Sequence, residues 1–220
     1  MALAKSRPMR DQLVDAAIDL FSTKGYAATS VADIQTACGL TAGSGALYKH
    51  FSSKEELLRE VLRRHAAGIA HDRQEAVANP PEGLNAGLRY LAETVWRSLE
   101  RDRNVIRITL RDLDPFPDLV DELWDSTLRN VYQQSALLIQ HENEHGRIDV
   151  ADPEATAAVL VASLTYFPIL EGLIGRTPGD VDRDRFLDAW VDSAQRTLTP
   201  TEAGADDALR GGRVVGAPET

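Results

Sequence analysis

The sequence predicts an all-α chain, and three observations carry the prediction. Apolar residues recur every three or four positions along most of the 220 residues. No stretch alternates convincingly with the two-residue period of a half-buried strand. The breaks between periodic segments hold residues that stop or start helices: Gly25, Asn79-Pro80-Pro81, Asp114-Pro115, Gly146 and Asp152-Pro153. The predicted architecture is an N-terminal three-helix head over 10–53, built on a helix-turn-helix, joined to a larger helical body over 54–199. Residues 1–9 hold Lys5, Arg7 and Pro8 without periodicity and are a predicted disordered arm. Residues 200–220, rich in Gly, Ala, Pro and Asp with no apolar face, are a predicted disordered tail. No internal repeats are found.

In the head, Leu13, Ala16/Ala17, Leu20 and Phe21 mark an amphipathic helix from Arg10. Gly25 ends it, because glycine tolerates the backbone that closes helices. Thr29-Ser30 open the next helix, where Ser30 and Asp33 have the spacing of a capping box with a shortened acid. Val31 and Ile34 share a face, with Ala37 beside them. Gly39 interrupts the pattern and Leu40 restarts it. A second short helix is expected through Gly45-Ala46-Leu47-Tyr48 to Lys49-His50-Phe51. Two short helices about a glycine-containing turn make a helix-turn-helix, whose second helix usually lies in the DNA major groove. The expected function is that of a DNA-binding regulator.

Ser53 and Glu56 cap a fourth helix, whose Leu57, Leu58, Val61 and Leu62 face inward and which runs to about Ala76. Beyond Pro81, Leu84, Leu88, Leu91, Val95 and Leu99 form one stripe, with Trp96 beside it. A shorter helix covers about Asn104 to Leu113. A long one spans Asp118 to His145, with Leu123, Trp124, Leu128, Val131, Ala136 and Leu138 among its inward candidates. Asp152-Pro153-Glu154 starts another, reaching Gly175, and the last runs from Arg183 to Leu198.

Net charge is −10, yet it divides unevenly. The first 65 residues hold nine Lys/Arg against seven Asp/Glu, whereas the other 155 hold 15 against 27. An acidic body bearing a mildly basic head presents one end to phosphate. The single cysteine, Cys38, excludes an internal disulfide and a cysteine-based zinc site, and is expected as a small buried filler. The start, MALAKSRPMRDQ, lacks the apolar run of a secretory signal, so a cytoplasmic protein is expected.

The run Phe21…Lys24-Gly25-Tyr26…Thr29-Ser30-Val31…Asp33-Ile34…Ala37-Cys38-Gly39-Leu40-Thr41…Gly45-Ala46-Leu47-Tyr48-Lys49-His50-Phe51…Ser53-Lys54-Glu55 resembles the N-terminal domain of TetR/AcrR-type transcriptional regulators. The resemblance covers roughly residues 10–60; the body matches such proteins in length and helical character. Between Gly39 and Leu47 the chain is about two residues longer than the family's usual pattern, so the turn or the start of the recognition helix must differ. By resemblance, Thr29, Ser30, Tyr48, His50 and Lys54 hold DNA phosphates, and Thr41, Ala42, Ser44 and Lys49 face the groove. Hydroxyls at a helix start and a lysine in the first turn of the next helix suit anions. The small residues at 41–46 suit close backbone approach and thymine methyls better than bidentate base reading. Phe51 is expected in the core, and Tyr48 with its ring inside and its hydroxyl out.

Other signals carry less. His141-Glu142-Asn143-Glu144-His145 matches HExxH literally, and a helical metal-dependent hydrolase using it is the alternative function. Glu144 is charged where an uncharged residue is usual, and Gly146 ends the helix at once, so a polar helix end with favourable cations is preferred. Nothing supplies a Gly-rich phosphate loop, a nucleophile elbow or a convincing catalytic pair; no enzyme activity, metal or cofactor is expected. Arg103, Arg107 and Arg111 form a basic row, read as a solvated face. Ala155 to Gly175 is nearly apolar over a length that could cross a bilayer. Pro168 and Glu171 interrupt it, and no basic flank anchors it. A helix buried on all sides, between its own core and a partner chain, is expected instead. Pro168 is expected to kink it. With the last helix it gives a homodimer interface through Val159, Ala162, Tyr166, Phe186, Trp190 and Ala194, as the resemblance also implies. Two heads then meet successive major grooves of a palindromic operator. The resemblance further implies a repressor relieved by a small-molecule effector. Trp96, Leu99, Ile108, Trp124, Leu128, Tyr132, Tyr166, Phe167 and Leu170 are the candidate lining of its site.

Overall fold

The computed structural model describes residues 7–78, 81–177 and 179–199, and all their regular structure is helical. The head consists of α1 (Met9–Lys24), α2 (Val31–Ala37) and one 3-10 turn (Leu47–Lys49). Helix α3 (Lys54–Ala78) leaves it. The body adds α4 (Leu84–Arg101), α5 (Arg103–Asp112), α6 (Pro117–Leu123), α7 (Arg129–Glu144), α8 (Pro153–Ile174) and α9 (Arg183–Leu198). The expected tail, and the first six residues of the expected arm, lie outside the described residues. Arg7 and Pro8 are already tied to α1: Gln12 Nε2 donates to Arg7 O at 2.7 Å, and the Arg7 guanidinium pairs with Asp15.

The caps follow side-chain chemistry. Ser30 Oγ accepts from Asp33 N at 3.1 Å while Asp33 Oδ2 accepts from Ser30 N at 2.9 Å, a complete capping box. At α3, Ser53 Oγ accepts from Glu56 N, but the Glu56 carboxylate reaches one residue further back, to Ser52 N. Asp152 and Asp182 cap α8 and α9 in the same way, each accepting the amide three residues on.

The core is in two parts, and the division does not follow the expected boundary at 53/54. One cluster joins Leu13, Val14, Ala17, Phe21, Ile34, Leu47 and Phe51 of the head to Leu57, Leu58 and Val61 of α3. It continues into Val105, Ile108, Leu113, Leu119 and Leu123. The other holds Leu88, Ala92 and Trp96 of α4 with Ala157 and Leu164 of α8 and Leu187, Trp190, Val191, Ala194 and Leu198 of α9. A head of this size has little apolar surface to bury on its own; here α5 and α6 complete its core.

Two expected faces are corrected. On α4, Ala92 and Trp96 are buried with Leu88, whereas Leu91 is exposed. The long helix after Pro117 contains one π-helical stretch, Trp124–Leu128, between α6 and α7. A π turn advances the chain by one extra residue, so a stripe extrapolated at 3.6 residues per turn slides off the core beyond it. Beyond it Ile139 is therefore buried and Leu138 faces out; within the stretch itself Thr127 is buried, while Trp124 (47% exposed) and Leu128 at its two ends are exposed. The basic row is solvated only in part: Arg103 and Arg111 are exposed, whereas Arg107 is half-buried. Arg107 donates to Gly172 O of α8 at 2.7 Å, and Arg111 reaches the end of α1. Helix α8 is continuous through Pro168 and is long and apolar enough to cross a membrane by length and composition, with a mean hydropathy of 1.8.

Helices α1 and α3 are also held by charge. Glu60 of α3 accepts from Arg10 of α1 at 2.8 Å and from Arg63 at 2.7 Å. Hydrogen bonds from Arg63 and then Arg10 hold its carboxyl at about 2, well below the usual 4.5. A folded-state pKa below the unfolded one stabilises the fold above the unfolded value, and the contribution is lost as pH falls through the folded one. Stability is thus expected to drop between about pH 4.5 and about pH 2. In Glu60→Gln the fall over that window should be smaller. Urea midpoints at pH 7, 4 and 2.5 check this; equal falls in both proteins would remove Glu60 from the account.

Candidate nucleic-acid interface

The free end of the head is built around a turn where a second helix was expected. After α2, Cys38 N donates to Gln35 O at 3.1 Å and Leu40 N to the same carbonyl at 2.9 Å, closing the helix. Gly39, Gly43 and Gly45 follow with φ of 71°, 75° and 68°, a left-handed region costly for residues with a Cβ. Ser44 N donates to Thr41 O at 3.1 Å, as in a β-turn. Regular structure resumes only at Leu47–Lys49, where Tyr48 N, Lys49 N and His50 N bond three residues back. The recognition helix is thereby reduced to a single 3-10 turn. The cause is local: two glycines in a segment about two residues overlong favour open turns over helix. Leu47, wholly buried, and Phe51 pin the far end to the core, and the Arg10 guanidinium covers the Phe51 ring at 4.9 Å.

The predicted contacts divide into those this arrangement leaves available and those it uses internally. Ser30, Thr41, Ala42, Ser44, Lys49 and His50 are exposed. Tyr48 is 58% exposed, so its ring lies outside rather than in the core. Two predicted phosphate ligands are corrected. Thr29 is 1% exposed, and its hydroxyl donates to Gly25 O at 2.7 Å, with Leu20 O at 3.3 Å. Lys54 turns inward. Its Nζ donates to Tyr26 O and Thr29 O, each at 2.8 Å, and lies 4.1 Å from the centroid of the Tyr26 ring. Burial lowers its pKa, and the two carbonyls and the ring face compensate. Both residues fix the entry to α2 and so position Ser30. Cys38 is half-buried, its thiol directed to Gln12 O at 3.4 Å and its pKa raised by burial.

Gln35 had no place in the expected site. Its side chain is fully buried and bonded to the turn through both ends of its amide. The available signal was a polar residue four positions after Val31, on the inward stripe of a short helix.

Behind this surface, Tyr26 ties head to body. It packs on Phe21 with centroids 5.2 Å apart and edge-on to Phe116 at 5.0 Å. Its amide donates to Asp112 Oδ2 at 3.3 Å, and the neighbouring Arg111 donates to Ser22 O at 3.3 Å and to Phe21 O. The end of α5 thus clasps the end of α1.

The remaining candidates fare unevenly. The proposed effector lining does not come together. Ile108 lies in the head-side core and Trp96 in the other, while Trp124, Leu128 and Tyr166 are exposed, and Leu99, Tyr132, Phe167 and Leu170 are half-buried. Aromatic rings fill the space themselves: Phe167 and Phe186 stack at 4.5 Å, and Trp96 lies 5.6 Å from Phe186. A cavity of about 50 Å³ between α3 and α4, lined by Asp72, Tyr90, Thr94 and Arg101 among others, contains none of the nine. Nor does a groove of about 350 Å³ beside α1, at Arg7, Asp15 and Cys38. Of the expected dimer contacts, Val159, Ala162 and Tyr166 are exposed and Phe186 is half-buried. Trp190 and Ala194 are core residues of their own chain, with Trp190 Nε1 donating to Ser163 Oγ at 3.0 Å. They face α4 and α8 because α9 directs its apolar stripe inward.

His141 and His145 do share a face, with ring centroids 4.2 Å apart, but His145 Nδ1 is 2.7 Å from His141 O at the helix end. Glu142, the would-be general base, is paired with Arg147, which lowers its pKa. No group of three metal-ligating side chains exists among the described residues, and the hydrolase alternative is set aside.

Comparison with known proteins agrees with the geometry. A family model described as bacterial regulatory proteins, tetR family, matches residues 13–61. A second, described as the C-terminal domain of AefR-like transcriptional repressors, matches residues 86–197, half of the chain. The HTH-type transcriptional repressor KstR2 of Rhodococcus jostii is 36% identical over 101 residues, covering 45% of this chain and 47% of the relative, so that match spans about half the relative's length. The probable HTH-type transcriptional regulator ArpR of Pseudomonas putida is 27% identical over 199 residues, 86% of this chain and 90% of that protein. In fold, a TetR-family regulator from Mesorhizobium loti superposes with a TM-score of 0.67 at 22% identity, covering 90% of this chain and 100% of the other. Helix-turn-helix head, helical body and both family matches together assign the chain to the TetR family of bacterial transcriptional regulators, DNA-binding proteins rather than enzymes.

Proposed function

We propose that the chain is a cytoplasmic homodimeric repressor that occupies a palindromic operator and is released when a small molecule binds the body. One observation supports this above the others: Thr41, Ala42 and Ser44 on the turn and Tyr48, Lys49 and His50 after it are exposed groups on the one basic end of an acidic chain. Cations there attract phosphate, hydroxyls and backbone amides approach the bases, and the acidic body is held away. Ser30 adds a phosphate contact at the start of α2. The repressive sense rests on the names borne by KstR2 and by the C-terminal family model. Relief by an effector rests on the body-to-head clasp. A rearrangement that moves α3 or α5 moves α1 with it, and a ligand preferring that arrangement shifts the population away from the DNA-competent form. Pairing of two chains is assigned to the exposed apolar face of α8.

The test is selection of duplexes from a random-sequence pool by the purified protein, followed by salt titration of two lysine variants. Lys49→Ala should weaken binding to all duplexes and make the salt dependence shallower by about one unit. Lys54→Met should lower the melting temperature and leave the salt slope unchanged, since its charge faces two carbonyls. A wild-type protein that enriches no sequence, or an unchanged slope in Lys49→Ala, would count against the proposed interface.

A further inference from the structure

Gln35 is the buried polar side chain of α2, 1% exposed. A buried amide needs a partner for its carbonyl and for its NH2. Oε1 accepts from Gly43 N at 3.1 Å, and Nε2 donates to Ser44 Oγ at 3.4 Å. The backbone carbonyl of the same residue holds Leu40 N at 2.9 Å. One residue therefore grips the turn at its entry and at its apex. Around the turn there is open space: a Cβ on Gly39, Gly43 or Gly45 would meet nothing within 4 Å. Leu40 packs the entry of the turn against the head core, while at the apex, around Gly43, hydrogen bonds rather than packing hold the shape.

We propose that Gln35 is the positioning residue for sequence readout, holding Thr41–Ser44 in an open turn that is presented to the bases in place of a helix. The inference rests on the DNA-binding reading above. Reading bases requires donors and acceptors held to within about 0.5 Å, and Gln35 supplies that constraint. Lys49, Tyr48 and His50 do not depend on it. They sit on the 3-10 turn, which the wholly buried Leu47 anchors separately. Specificity and phosphate affinity are thus borne by different supports, and a change at Gln35 separates them.

The experiment compares wild type, Gln35→Met and Gly43→Ala on a duplex enriched by the wild-type protein and on a scrambled duplex of equal length, at two salt concentrations. Methionine keeps the volume of Gln35 and removes both hydrogen bonds. Gly43→Ala distorts the exposed turn through its φ of 75° without touching the core, so it remains informative if the methionine variant folds poorly. In both variants the preference for the enriched duplex should fall at least about tenfold, within the ~5- to 150-fold range that a mismatched base pair covers. Affinity for the scrambled duplex should hold within about twofold with an unchanged salt slope. Partial unfolding would instead lower both affinities in proportion. Equal preference in wild type and both variants overturns the role of Gln35, and so does tighter specific binding by Gly43→Ala, which would mean the segment works as a helix. A wild-type protein that prefers no duplex fails earlier, at the DNA-binding reading itself, and takes the proposal with it.

Discussion

Replacing Phe21 by alanine should lower the unfolding free energy by about 3–5 kcal/mol, the cost of deleting a large buried ring and leaving its cavity, and should do so for head and body together. Phe21 is fully buried, packs on Tyr26 and belongs to the cluster that runs from Leu13 through Ile108 to Leu123. The carbonyls of Phe21 itself and of Ser22, near the end of the same helix, also accept from Arg111 of the body. A cavity there weakens the head and its clasp on α5 at once. The three tryptophans, Trp96, Trp124 and Trp190, all lie in the body, so their fluorescence reports body unfolding alone. Urea unfolding of Phe21→Ala should therefore move the fluorescence midpoint down along with the circular-dichroism midpoint. An early dichroism step with an unmoved fluorescence midpoint would show that the head unfolds separately, and the cluster shared by the head with α3, α5 and α6 would not couple it to the rest of the body, where Trp96 and Trp190 lie.

That shared core bears on what the sequence could reveal. Periodicity located each long helix, and caps at Ser30, Asp152 and Gly25 fixed their ends, because those signals are local and each residue carries its own. Two kinds of feature escaped. The first is phase. One π turn at Trp124–Leu128 rotates everything after it, and nothing in the spacing of Leu123, Leu128 and Leu138 announces the extra residue. The second is competition between partners. Thr29 and Lys54 are the residue types that bind phosphate, but each had a nearer internal acceptor: Gly25 O for the hydroxyl, and Tyr26 O and Thr29 O for the ammonium. Residue type indicates what a side chain can bond to, whereas the fold determines which partner is within reach. Gln35 is the converse case, a polar residue on an inward stripe whose partners lie eight and nine positions away in an irregular turn. The two glycines made the departure from helix visible in the sequence; what holds the turn was not.

Introducing arginine at both Val159 and Tyr166 should convert a dimer into a folded monomer and reduce affinity for the enriched duplex about 100-fold or more. Ala155, Val159, Ala162 and Tyr166 recur at helical spacing along one face of α8. Val159 and Tyr166 are each 65% exposed. The opposite face, with Ala157 and Leu164, is buried against the body. An apolar face left in water is unfavourable, and a two-fold axis lets the same face cover itself. The substitutions leave the core untouched, so far-UV dichroism and melting should change little, while light scattering should report half the mass. Binding falls because a dimer holds its second head near the second half-site, whereas two monomers must each bind independently. Specific sites are held at about 10⁻⁸–10⁻¹¹ M and non-specific ones at about 10⁻⁴–10⁻⁶ M, which leaves room for a loss of that size. The same pair of arginines also separates the two accounts of an apolar 22-residue helix. If α8 crossed a bilayer, the wild-type chain would require detergent to remain in solution. If it pairs chains, the wild type is a soluble dimer and only the variant comes apart. A double variant that remains dimeric with unchanged operator affinity would remove α8 from the interface and, with it, the geometric basis for two heads on one operator.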